Sequence, residues 1–331
     1  MCQNIPSFFP SGAIRKKNIK VFVIFLFLFV LAFVLTTFNL TQNSNQSLSR
    51  TNSIGIPNKF LYLKNFISAK YTSQVRKDEK WRQVRILCFV ITYPKNLAKQ
   101  TVFVRNTWGD RCDKTLYISD EANSTFPTIK VTNYTGHKQL WAKTRNTLEL
   151  IYRQYISLYD WFLKADDDTY VLVDNLKKFL YSKNTTKLEF YGKFFSPFVK
   201  SGYPSGGAGY VMGRAALKQL VTVGFEVGPN CPPHSEPKAE DILMGRCMED
   251  SGVRLSKETV DEGGRELFHS FSPQREFIIP WEKIGFYRQF SIHPLGGDYC
   301  CSKDAISYHY VHGPEMLFLD YLFHNMTKVL L

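Results

Sequence analysis

Three consecutive aspartates, Asp166-Asp167-Asp168, close the apolar run Trp161-Phe162-Leu163-Lys164-Ala165. Carboxylates crowded at a strand end repel one another unless something positive offsets them. A hard divalent cation does so while bridging to a diphosphate, because it takes oxygen ligands and cancels substrate charge. A solvated turn, or the N-cap of a following helix, is the simpler use of such residues. Two further groups could take part. His309 lies in the strand-like stretch AISYHYV, where it can pack like an aromatic ring or offer an imidazole to a metal. Glu240-Asp241 open a helical segment, Ile242-Leu243-Met244-Gly245-Arg246-Cys247-Met248, where acids complement the helix dipole or serve as a general base. The stretch Ser205-Gly206-Gly207-Ala208-Gly209 lacks the Lys-Ser/Thr pair of a phosphate loop. Its small residues suit either a tight turn or close approach of backbone to a sugar ring, with Gly207 the substrate candidate.

These residues need a scaffold, and its elements are legible. Residues 85–92 (RILCFVIT) read as a buried strand and Lys114–Ser119 as a second. Residues 138–159 carry Leu140, Trp141, Thr144, Leu148 and Ile151 at helical spacing, and 161–165 form a third strand ending at the aspartates. A helix is expected through Arg105-Asn106-Thr107-Trp108, another over 213–220 and a third after Glu240. Strands alternating with helices predict an α/β domain with a mostly parallel sheet. In such sheets ligands bind beyond the carboxyl ends of strands, which is where the aspartates fall.

The chain has 331 residues, 44% hydrophobic and 21% charged, which excludes a disordered chain or a small disulfide scaffold. Arg15, Lys16, Lys17 and Lys20 supply four of the thirteen net positive charges. The remaining +9 is spread rather than clustered, which argues against a nucleic-acid partner. From Val21 to Phe38 run eighteen residues without a charge, enough for a helix to span a bilayer core. A cleaved signal peptide fits less well: the run is long for one and no small-x-small site follows it. The organisation expected is therefore a cytosolic tail over 1–20, a transmembrane signal anchor over 21–38, a lumenal stem over 39–80 and a catalytic domain over 81–331. Glycosylation acceptors at Asn39, Asn45, Asn123, Asn133, Asn184 and Asn325 agree with a lumenal orientation. Cys2 precedes the anchor, leaving Cys88, Cys112, Cys231, Cys247, Cys300 and Cys301 beyond it. An even number in an oxidising compartment reads as a disulfide set, with fifteen possible pairings. Zinc is disfavoured by the lack of C-x-x-C spacing.

The segment WFLKADDDTYVLVD (161–174) resembles the D-x-D block of the family 31 inverting glycosyltransferases, and within them the core 1 β1,3-galactosyltransferase branch. Other blocks follow in the same order: Arg105-x-Thr107-Trp108, Ser205–Val211, Glu240–Cys247, Cys300-Cys301-Ser302 and Ser307–Val311. The resemblance covers roughly residues 81–312. It implies a GT-A fold (Rossmann-like, with a mostly parallel central sheet), UDP-galactose as donor, Mn²⁺, GalNAc-bearing glycoprotein acceptors, a Golgi membrane location and a homodimer, with a dedicated chaperone possible. It makes Asp168 and His309 metal ligands, with Asp166 near the metal and the donor, and places the general base at Asp241, with Glu240 the runner-up. Ile91, Thr92, Arg105, Gly136, His137, Lys143 and Tyr310 are the donor-side candidates. The cysteine pairs it suggests are Cys88–Cys112, Cys231–Cys247 and a vicinal Cys300–Cys301 that would stiffen the turn before the metal strand. One block departs. Where the family carries paired tryptophans upstream of Cys-Cys, this chain has Gly285-Phe286-Tyr287-Arg288-Gln289-Phe290. Tyr287 is the residue left to stack on a sugar. A different acceptor within the family, or a non-catalytic lumenal chaperone, are the alternatives; the intact aspartate triplet argues against the second.

Overall fold

The computed structural model describes residues 79–133, 139–236, 239–278, 285–292 and 300–326. The basic tail, the apolar run 21–38 and the stem as far as residue 78 lie outside them. Among the described residues no helix is long and apolar enough to cross a membrane.

The strands are β1 (Ile86–Ile91), β2 (Lys114–Ser119), β3 (Thr128–Lys130), β4 (Trp161–Asp166), β5 (Tyr170–Val171), β6 (Glu189–Gly192), β7 (Phe194–Phe195), β8 (Tyr203–Pro204), β9 (Tyr210–Gly213), β10 (Arg254–Leu255), β11 (Phe268–His269) and β12 (Ser307–Tyr308). The main sheet runs β10-β6-β9-β4-β1-β2-β3. Only β9 opposes its neighbours, β4 and β6; the other ladders are parallel. The expected parallel-rich α/β sheet is therefore present, with one reversed strand.

β1 and β4 lie centrally because both are continuous apolar runs able to bury two faces. Successive side chains of β1 alternate between two cores. Ile86, Cys88 and Val90 join Trp108, Leu163 and Val171 on one side. Leu87, Phe89 and Ile91 join Trp141, Leu148 and Phe162 on the other. The helix predicted over 138–159 is Leu140–Gln154, and it buries Trp141, Leu148 and Ile151. The helix expected through Trp108 is Val102–Asn106: Thr107 leaves helical geometry and its hydroxyl donates back to the Phe103 carbonyl at 2.7 Å. The helix after the acid pair is Glu240–Ser251, closed by Gly252 at φ +72°, a left-handed cap that glycine adopts without strain. All three suggested disulfides are formed, Cys88–Cys112, Cys231–Cys247 and Cys300–Cys301.

A second sheet, β11-β12-β5, brings the late part of the chain to the aspartates. β12 pairs antiparallel with β5, Ser307 opposite Val171 and Tyr308 opposite Tyr170. Because β5 starts two residues after Asp168, that register carries His309 back toward it. The strand predicted through Val311 stops at Tyr308, and Tyr310 adopts φ +56°.

Candidate active site

β4 delivers its three aspartates to a turn in which they divide the work. The middle one faces inward. Asp167 Oδ2 accepts hydrogen bonds from Thr92 Oγ1 (2.7 Å) and Asn96 Nδ2 (2.9 Å), and burial pushes its pKa up to about 6 despite those donors. Its flanks are left half-buried at the surface, as D-x-D chemistry requires. The turn is held from outside: the Trp108 indole donates to the Thr169 carbonyl at 2.8 Å, and the Thr169 hydroxyl donates to the Gly207 carbonyl at 2.8 Å.

Opposite the flanking aspartates stands His309, Nε2 at 3.3 Å from Asp168 Oδ1. Burial would raise the Asp168 pKa, but the hydrogen bond to His309 and the electrostatic attraction of His309 and His312 hold it below the usual carboxylate value. Val311 N–H donates to the Asp168 carbonyl at 2.9 Å and fixes the two strand ends. Asp166, Asp168 and His309 each offer a ligand atom, all within 4.8 Å of one another. Two carboxylates and an imidazole suit a borderline cation such as Mn²⁺ better than Ca²⁺. Gly207 lies directly against the imidazole, so a side chain there would occupy the space of the His309 ring.

The Glu240–Ser251 helix brings its first two residues to the other side of Lys164, whose ammonium lies 2.7 Å from Asp166 and 3.9 Å from Glu240. Glu240 is buried and accepts a hydrogen bond from the Tyr210 hydroxyl at 2.9 Å. Asp241 is half-buried and Oδ1 accepts from Ile242 N–H at 2.9 Å. Burial raises both carboxyl pKa values. Of the pair, Asp241 is the less buried.

The donor-side candidates separate. Ile91 ends β1 opposite Asp166 and Thr92 follows it, committed to Asp167. Lys143 is fully buried, paired with Asp120, and donates to the Thr92 carbonyl at 3.3 Å, with its ammonium 3.8 Å from the Tyr93 ring centroid. It therefore props the wall beneath β1, which sequence position alone did not reveal. Arg105 lies over the Phe126 ring. Gly136 and His137 lie outside the described residues. Tyr310 is 46% exposed and stacks on His309 with ring centroids 3.8 Å apart.

Residues 82–278 match the Fringe-like family. Over 252 residues the chain is 35% identical to glycoprotein-N-acetylgalactosamine 3-beta-galactosyltransferase 1 of Xenopus laevis, covering 75% of this chain and 69% of that one. This chain is a Fringe-like glycosyltransferase. Within the family its similarity places it with the core 1 branch. More distant likenesses are a beta-1,3-glucosyltransferase of Mus musculus (23% over 67% of this chain and 42% of that one) and human chondroitin sulfate glucuronyltransferase (25% over 64% and 27%). A solved glycosyltransferase involved in glycosylation of the PBCV-1 major capsid overlaps at a TM-score of 0.38 and 14% identity, over 72% of this chain and 98% of that one.

For this glycosyltransferase one expectation is corrected by packing. Tyr287, expected to stack on a sugar, is 1% exposed; its hydroxyl donates to Glu266 at 3.1 Å and its ring packs against Phe195 and Phe271. An isolated tyrosine in an aromatic segment carried no signal of that inward turn. Sequence reasoning also passed over Lys164, the one charge within the β4 run before Asp166, which lies buried between the metal-side and base-side carboxylates. Its interruption of an otherwise apolar strand was the available clue. Of the expected glycosylation acceptors, Asn123, Asn133 and Asn184 are exposed, while Asn39, Asn45 and the Asn325 side chain lie outside the described residues.

Proposed function

We propose that this enzyme transfers galactose from UDP-galactose to O3 of GalNAc-α-Ser/Thr with inversion, using Mn²⁺, on a GT-A scaffold. The observation that carries the reading is the three-ligand set at the end of β4 facing an acid pair at a helix start, in a chain 35% identical to a GalNAc 3-β-galactosyltransferase. Asp166, Asp168 and His309 would hold the metal. When bound there, Mn²⁺ supplies positive charge to the leaving diphosphate, so no separate general acid is required.

Asp241 is the general base. Ile242 N–H occupies Oδ1, leaving Oδ2 to take the acceptor hydroxyl proton as that oxygen attacks the anomeric carbon and UDP departs from the opposite face. Its burial raises its proton affinity, which favours that role. Glu240, engaged by Tyr210, holds the helix start in place. Ile91 and Thr92 border the nucleotide, Tyr310 lies beside the metal histidine, and Gly207 makes room for it. The enzyme is assigned to the Golgi membrane as a single-pass type II protein with a lumenal catalytic domain, forming a homodimer and acting on glycoproteins. Another family 31 acceptor is the second reading, favoured by the burial of Tyr287 where the family displays aromatic rings.

The test offers the full-length chain UDP-galactose and a GalNAc-α-threonine peptide, with Mn²⁺ or with EDTA. Metal-dependent β1,3-linked product is expected. Hydrolysis of UDP-galactose without transfer would transfer the case to the second acceptor reading; neither product nor hydrolysis from folded protein would refute the proposal.

A further inference from the structure

Strand β4 is apolar from Trp161 to Ala165 except at Lys164, which is buried with its side chain 3% exposed. A lysine inside a core strand costs stability unless its charge is matched, and a methionine would fill the same space more cheaply. Here the ammonium is matched by groups from three elements. It donates to Asp166 Oδ1 at 2.7 Å and to the Gly206 carbonyl at 3.0 Å, and it lies 3.9 Å from Glu240 Oε2. Asp166 belongs to the metal set, Gly206 to the glycine loop that seats His309, and Glu240 to the helix that carries Asp241. The other Glu240 oxygen is held by Tyr210, whose position in β9 is directly opposite Lys164.

We propose that Lys164 is a positioning residue that joins the two halves of the site, fixing Asp166 for the metal and drawing the Glu240–Asp241 helix start toward it. The inference rests on the metal and base assignment above. Three carboxylates, Asp166, Glu240 and Asp241, otherwise repel one another, and a neutral residue at 164 lets them separate. The lysine need not touch substrate; it sets where the groups that do so stand.

The test compares wild type, K164M, E240Q and K164M/E240Q as full-length chains. The double variant keeps the net charge of the buried pair, so it serves where K164M alone fails to fold. Mn²⁺ affinity is measured by calorimetry in the presence of UDP, with circular dichroism to establish the folded fraction. Loss of an outer partner to a metal ligand lowers metal affinity by about 10–100-fold, and that deficit is expected in K164M against wild type and in K164M/E240Q against E240Q. In the transfer assay K164M should lose kcat by about 100-fold with acceptor KM changed less than about threefold, as misplacement of reacting groups predicts. Mn²⁺ affinity within about threefold in both comparisons, or a deficit that vanishes when corrected for folded protein, would overturn the proposal. The binding comparison needs no acceptor, so failure of wild-type galactose transfer counts against the proposed reaction and not against Lys164.

Discussion

Replacing Gly207 with alanine tests the metal site through a single methyl group. A Cβ built on Gly207 falls closer than 3.0 Å to the Cε1, Nδ1 and Nε2 atoms of His309, a separation that real side chains do not show. Reaching ordinary contact at 3.4 Å or beyond requires the imidazole to withdraw by an ångström or more. The ring is half-buried and sits at the end of a rotatable side chain, so withdrawal is its easiest response. The folding cost should then stay at or below the ~1–3 kcal/mol typical of overpacking. A metal ligand tolerates only about 0.2 Å of error, however, and a displacement of about 1 Å at a reacting centre costs about 100-fold. Calorimetric titration of Mn²⁺ in the presence of UDP should therefore show G207A weaker by at least about tenfold, with a melting temperature lowered by no more than about 10 °C. An affinity within about threefold of wild type, in folded G207A, would mean that His309 is not a ligand.

Other expectations follow from the same geometry. D241N should lower kcat by about 100- to 10,000-fold while leaving calorimetric Mn²⁺–UDP affinity intact; retained turnover would remove Asp241 as base. Y287F leaves buried Glu266 without one donor and should destabilise by about 1–3 kcal/mol in urea denaturation. Because the tyrosine is covered, kinetic constants for either substrate should hold. Glu276 is buried, and desolvation with the neighbouring Glu266 pushes its pKa up to about 8 from 4.5. A carboxyl raised on folding stabilises most below its unfolded value, and that contribution is lost as pH rises from about 4.5 through about 8. E276Q should thus gain on wild type by a few kcal/mol (order of magnitude) as pH climbs through that window, measured by chemical denaturation, and show no gain below it.

The aspartate triplet and its place after a strand were legible because strand ends are written locally: an apolar run stops and polar residues begin. β2 appears at its predicted residues, and β1 and β4 within one residue at each end, for the same reason. The acid pair at a helix start was equally local. Six motif blocks in order carried the family, since a resemblance needs only chain order and residue type. Contacts between distant segments were decided by tertiary structure. His309 reaches Asp168 because β12 pairs antiparallel with β5, a register that no local pattern specifies. Asp167 turns inward because Thr92 and Asn96 wait there, and Tyr287 because Glu266 and Lys193 form a buried pair beneath it. Whether a lysine is solvated or buried depends on what surrounds it, and for Lys164 the partners come from residues 166, 206 and 240. Sequence alone thus determined which residues could do the chemistry, through type and local order. Long-range pairing and burial decided which of them stay partly exposed and which are enclosed by partners.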